Sequence, residues 1–247
     1  MFLLLFFYLN TLVLGVSLFH SLGLLNFGIS ALKYTCMYLS VHLEASKNKL
    51  KYSLLIGPSG SGKTTLLYQL KYGRFCDTTT SVIPAKMKVN DQHYLVDIPG
   101  NRRIINNYIM KYINCSNSVI FVLDSSNRSS FKEAAEIIYF TIFNILKGSS
   151  EIRGRKASGF PEYKFIILCN KSDLSSSKNF KYIREELERN IDKINANDND
   201  LLDVNVRGEV KNFSFETLTS FDLQFLETSL ISIDERVFET IRSVLSN

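Results

Sequence analysis

Apolar residues along this chain fall into runs of two kinds. Lys51-Tyr52-Ser53-Leu54-Leu55-Ile56, Ser118 to Leu123 (SVIFVL) and Lys164 to Leu168 (KFIIL) are short and nearly continuous. Such runs read as strands covered on both faces, where no alternation is needed. Val82 to Val89 and His93 to Val96 flank Asn90-Asp91-Gln92 and read as a hairpin, which makes one edge strand antiparallel. Phe221 to Leu226 reads as a last short strand. Between these runs, Leu66 to Leu70, Phe131 to Lys147, Phe180 to Ile194 and Asp234 to Leu245 carry apolar residues at helical spacing. The alternation predicts an α/β fold: a mainly parallel six-stranded sheet with helices on both faces. Gly148 to Pro161 reads as a loop, and the polar stretch Asn195 to Asn205 as an insertion.

The beginning of the chain follows a different pattern. Met1 to Leu32 contains no charged residue. A helix of about 20 apolar residues crosses the hydrocarbon core of a bilayer, so this stretch is long enough for a tilted span. A cleavable signal peptide is the rival reading, but its positive leading region is missing and the run is too long. Lys33, Lys47, Lys49 and Lys51 follow, and positive-inside bias then places the remainder of the chain in the cytosol. The expected organisation is a membrane anchor over 1–32, a linker over 33–50 and a globular domain over 51–247.

Composition adds little and excludes some classes. A net charge of +5 with no dense Lys/Arg run argues against sequence-specific nucleic-acid binding. Cys36, Cys76, Cys115 and Cys169 are scattered, with no C-x-x-C spacing, so neither a zinc site nor a disulfide framework is expected. Cys169 reads as core, and His93 as a surface residue of the hairpin.

The chemistry is concentrated at strand ends. Gly57-Pro58-Ser59-Gly60-Ser61-Gly62-Lys63-Thr64-Thr65 fits the phosphate-binding loop pattern between a strand and a helix. Glycines let successive backbone N–H groups converge on an anion, and the helix N-terminus adds its positive end. Lys63 would reach the β- and γ-phosphates, and the Thr64 hydroxyl would hold Mg²⁺. Asp97-Ile98-Pro99-Gly100 follows a strand; its Asp can hold the Mg²⁺ shell through water and its Gly N–H can meet a γ-phosphate. Asn170-Lys171-Ser172-Asp173 follows KFIIL, and Asp173 can accept from guanine N1–H and the exocyclic amine, a donor pair adenine lacks. Within Asp77-Thr78-Thr79-Thr80-Ser81, Thr80 is the favoured Mg²⁺ ligand and Thr79 the second choice.

These motifs, in this order, make the chain resemble the small GTPases of the Ras superfamily over roughly Lys51 to Ser246. The resemblance implies their phosphate-loop fold and a site for GTP and Mg²⁺. Glu227-Thr228-Ser229-Leu230 is similar to their E-T-S-A segment, which implies that Ser229 and Leu230 border the base and that a backbone N–H reads guanine O6. Within the superfamily it resembles the Arf and Sar branch, and most closely the signal recognition particle receptor beta subunit family. The apolar beginning, Asp77 to Ser81 followed by Val82, and the proline of Asp97-Ile98-Pro99-Gly100 carry that likeness. What it implies is a single-pass protein of the endoplasmic reticulum membrane. Its GTP-bound form would hold the receptor's alpha subunit, with the ribosome or translocon near by.

Hydrolysis is expected to be slow. Asn101 stands where Ras-like enzymes place a water-orienting glutamine, and it is one methylene shorter, a weak catalytic candidate. Ser59 stands where those enzymes usually have glycine. Arg102 and Arg103 read as surface or partner-binding residues. Three other readings stay open on sequence alone: another membrane-anchored Arf-like GTPase of vesicle traffic, a phosphate-loop ATPase or kinase, and a non-hydrolysing interaction module that keeps the fold.

Overall fold

The structure is a computed structural model, and it describes residues 35–36, 39–40, 51–152, 163–196, 213–218, 220–232 and 235–246. The chain divides into two compact units, Met1–Glu44 and Ala45–Asn247. In the first, the described residues 35–36 and 39–40 are helical and exposed. The anchor over 1–32, most of the linker and the insertion from 197 onward lie outside the described residues. Among the described residues no helix is long and apolar enough to cross a membrane.

Among its described residues the second unit is built on six strands, β1 (Lys51–Ile56), β2 (Ala85–Asn90), β3 (His93–Asp97), β4 (Ser116–Asp124), β5 (Tyr163–Asn170) and β6 (Phe221–Glu227). Their order in the sheet is β2-β3-β1-β4-β5-β6. Every pairing is parallel except the β2–β3 hairpin at one edge. Among the described residues five α-helices pack around it: α1 (Lys63–Tyr72), α2 (Ile105–Tyr112), α3 (Ser130–Ile152), α4 (Phe180–Asn195) and α5 (Glu235–Ser246).

Burial explains why the central runs lack alternation. Leu55, Leu95, Ile120, Val122, Ile166 and Leu168 pack in one core layer with Leu66 and Leu67 of α1 and Val237, Ile241 and Val244 of α5. Leu54, Ile56, Val119 and Phe121, pointing the other way, are equally buried on the opposite face. α4 turns Ile183, Leu187 and Ile191 inward at a spacing of four, and Asn179 caps it by accepting from the Tyr182 N–H at 2.9 Å.

Four expectations are corrected. β2 begins at Ala85, not Val82, because Pro84 has no N–H for a ladder; Val82 and Ile83 are left exposed. α3 runs on through Gly148 to Ile152, because one glycine in a long helix costs only about 1 kcal/mol. α2 was not expected at all. His93 is buried, not on the surface: its Nε2 lies 2.8 Å from Ser53 Oγ, and Ser53 Oγ lies 2.5 Å from Ser118 Oγ. Those three residues sit at the starts of β1, β3 and β4, the end of the sheet remote from the phosphate loop.

Candidate functional site

At the other end of the sheet, the loops that follow β1, β5 and β6 enclose a cavity of about 310 Å³. Parallel strands bring their C-terminal ends to one edge, so segments more than a hundred residues apart meet there. Ser59, Gly60, Gly62, Lys63, Thr64 and Thr65 line it from the phosphate loop, Thr80 and Gly100 from the next two loops, and Asn170, Lys171, Asp173 and Leu230 from the far side. Of the other residues singled out, Gly57, Ser61, Ser229 and Asp97 are buried and are not part of this lining.

The phosphate loop has the shape an anion cradle requires. Gly57 and Gly62 have φ of 145° and 105°, and a Cβ on either would lie 2.0 Å from the Val122 carbonyl oxygen or 2.4 Å from Asn170 Nδ2. Gly100 packs as closely: a Cβ there would fall 2.6 Å from the Ser59 nitrogen. Lys63 is buried, and its ammonium donates to the Gly57 and Pro58 carbonyls at 2.8 and 2.7 Å. Burial lowers its pKa to about 8, against the raising pull of Asp97 and Glu133.

Behind Thr64 lies Asp97, fully buried. Thr64 Oγ1 donates to Asp97 Oδ2 at 2.7 Å, while Oδ1 is buried with no partner. Burial raises the Asp97 pKa, and the Thr64 bond and the Lys63 charge oppose it. A cradle of left-handed glycines at a helix N-terminus, a buried cation and an orphaned carboxylate oxygen beside a hydroxyl are the donor set of a metal–phosphate ligand. The residues fit Mg²⁺ and a nucleotide polyphosphate.

Asn170 joins the two sides of the site. Its Nδ2 donates to the Ser61 carbonyl at 2.8 Å, and its Oδ1 accepts from the Leu230 N–H at 3.2 Å. Lys171 adopts φ 63°, the one non-glycine positive φ among the described residues. Its ammonium reaches Asp124 Oδ2 at 2.5 Å, and Asp124 Oδ1 accepts from Ser126 N–H and Oγ–H at 2.9 and 2.6 Å. From the sequence Asp124 reads as a structural strand-end aspartate after SVIFVL; its partner Lys171, 47 residues away, was not legible there. Thr65 and Thr78 hydroxyls are 2.9 Å apart, which ties the Thr-rich loop to α1 and leaves Thr79 and Thr80 exposed along the cavity.

Asn101 does not line the cavity. Its Oδ1 accepts from the Arg103 N–H at 3.0 Å, and its carbonyl accepts from Ile104 and Ile105 N–H groups, so it shapes the turn into α2. Arg102 pairs with Glu136 at 2.5 Å on the surface. Cys169 is buried, and burial first, with Glu227 adding, pushes its thiol up to about 12, out of reach of thiolate chemistry.

The strand order, the single antiparallel edge and the cavity at the strand C-termini define a phosphate-loop protein with the small-GTPase fold. Comparison with known proteins narrows this. The sequence pattern of the family described as signal recognition particle receptor beta subunit matches residues 48–230, well over half of the chain. The chain belongs to that family. The signal recognition particle receptor subunit beta of Rattus norvegicus is 28% identical over 155 residues, 60% of this chain and 54% of that protein. The Homo sapiens subunit is 26% identical over 159 residues, 62% and 55% of the two chains. The chain therefore spans about half the length of these curated relatives. ADP-ribosylation factor J of Dictyostelium discoideum is 30% identical over 143 residues, 56% of this chain and 67% of that one. Among solved structures, the mammalian SRP receptor matches with TM-score 0.63 and 24% identity, over 78% of this chain and 99% of that chain. The SRb-GTP/SRX complex of Chaetomium thermophilum matches with TM-score 0.66 and 17% identity, over 79% and 99%. At these identities the structures establish the fold alone.

Proposed function

We propose that this chain is the GTP-binding beta subunit of a signal recognition particle receptor, anchored by residues 1–32 in the endoplasmic reticulum membrane, with residues 33–50 as linker and 51–247 as a cytosolic nucleotide-binding domain. One observation carries the reading. Asp173, whose carboxylate suits guanine, lines the same cavity as Lys63 and Thr64, and Asn170 bonds the two walls together. Family membership supports the partner, and solved relatives described as SRb-GTP/SRX and SRb-GDP-Mg support the ligand.

In this proposal the N–H groups from Ser59 to Thr65 and the Lys63 ammonium receive the phosphates. Asp173, Asn170, Lys171, Ser229 and Leu230 surround the base. Thr64 and Thr80 would hold Mg²⁺ directly, and Asp97 through water. The metal would neutralise phosphate charge and order the loop at Thr80. The chain's own residues position and discriminate, and the Asn101 side chain is engaged in its turn. The domain then acts mainly as a switch, with 77–84 and 97–103 as the segments that respond to the γ-phosphate and hold the alpha subunit. Loading the protein with GTP or GDP and measuring alpha-subunit affinity tests this. A clear preference for the GTP form is expected, and equal affinities contradict the switch.

A further inference from the structure

Gln69 points from α1 into the apolar core layer formed by Leu66 and Leu67 and is only 4% exposed. A buried amide persists where its bonds matter. Gln69 Nε2 donates to the Leu230 carbonyl, while its Oε1 is buried without a partner. On its other side the Leu230 N–H donates to Asn170 Oδ1 at 3.2 Å, and Asn170 Nδ2 donates to the Ser61 carbonyl at 2.8 Å. The loop after β6 is thus clamped from α1 and from the phosphate loop at once.

The clamp has a directional consequence. No peptide bond among the described residues is cis, so the Leu230–Ile231 unit is trans and its N–H opposes its C=O. Gln69 holds the carbonyl toward α1. The Ile231 N–H therefore faces away from α1, and Ile231 lines the cavity together with Lys171 and Asp173. We propose that Gln69 is a positioning residue for base recognition: by fixing the Leu230 carbonyl it presents the Ile231 N–H as the donor that reads a purine oxygen at position 6. The inference rests on the guanine reading above and adds a residue, Ile231, that the motifs alone did not select.

The test uses the full chain purified in detergent and titrated with GDP, ADP and the diphosphate of 2-aminopurine riboside, which has no oxygen at position 6. Wild type should prefer GDP to both. Gln69→Leu should weaken GDP binding by roughly three- to tenfold, the worth of one neutral hydrogen bond, and leave the 2-aminopurine nucleotide within about twofold. Parallel losses for both nucleotides, or no loss for either, overturn the assignment and leave Gln69 a core residue only. A wild type indifferent between GDP and ADP overturns the guanine reading instead, a distinguishable result. Gln69→Met repeats the test should the leucine variant not fold. The Ile231 amide resonance of wild type needs no variant. It should differ between the GDP and 2-aminopurine complexes, and an identical shift in both overturns the proposal.

Discussion

Asp124 offers a sharp test of how the base side of the site is held. Lys171 sits at φ 63°, a conformation that costs a non-glycine residue roughly 1–3 kcal/mol unless its surroundings impose it. Asp124 supplies the restraint, with its carboxylate 2.5 Å from the Lys171 ammonium and fixed by two bonds from Ser126. The side chains are 14% and 36% exposed, so the pair lies between a surface ion pair and a buried one, at about 1–2 kcal/mol. Burial pushes the Asp124 pKa up, but the Lys171 and Ser126 bonds outweigh it and hold the carboxylate below its usual value. The pair's contribution is accordingly complete at neutral pH and is lost only as pH falls from the ordinary carboxylate range through that depressed pKa. Asp124→Ala frees the turn, and a nucleotide must then select the competent fraction of conformers. That penalty predicts guanine-nucleotide affinity about five- to thirtyfold weaker at pH 7. Equilibrium titration with a fluorescent GDP analogue measures it, and circular dichroism checks the fold. Affinity within about twofold of wild type would refute the reasoning, because the turn would then hold its shape without the carboxylate.

Three further outcomes follow from the geometry. Replacing His93 with Leu removes the imidazole that bonds to Ser53 and to the Leu245 backbone, and should cost roughly 1–3 kcal/mol in urea unfolding. Burial first, with Lys51 adding and the Leu245 bond opposing, holds the His93 pKa below 6.5; wild type should therefore lose stability as pH falls below 6.5, with a smaller loss in the variant. Gly57→Ala sets a Cβ against the Val122 carbonyl and should cost roughly 3 kcal/mol or more, whereas Gly60→Ala, which meets open space, should cost about 1–2 kcal/mol for its φ alone; thermal melts rank the two. Asn101→Ala should leave single-turnover GTP hydrolysis within about threefold of wild type, since the Asn101 side chain serves the α2 turn; a larger drop assigns it a catalytic role.

The central sheet was legible because buried parallel strands leave uninterrupted β-branched runs, as in SVIFVL and KFIIL. Helices α4 and α5 showed through their apolar spacing. α2 did not, because Ile105 to Tyr112 is eight residues long, asparagine-rich and without a side-chain cap, so nothing local marks its start. The phosphate loop was legible because glycines and a lysine at fixed spacing are demanded by a backbone shape. The pairings of Asp124 and Gln69 were not, because their partners Lys171 and Leu230 lie 47 and 161 residues away. His93 misled for a related reason: its position beside a turn reads as surface, yet it is buried and its imidazole bonds to Ser53 of the neighbouring strand β1, 40 residues away.

The measurement that bears most directly on the whole account is nucleotide choice by the purified full chain, with Asp173→Asn alongside. Wild type should bind GDP at least about a hundredfold more tightly than ADP, and Asp173→Asn should shift preference from guanine to xanthine nucleotides, because a site built on a buried polar contact rejects the ligand lacking its partner. Equal binding of GDP and ADP, or a choice of base indifferent to Asp173, would contradict it.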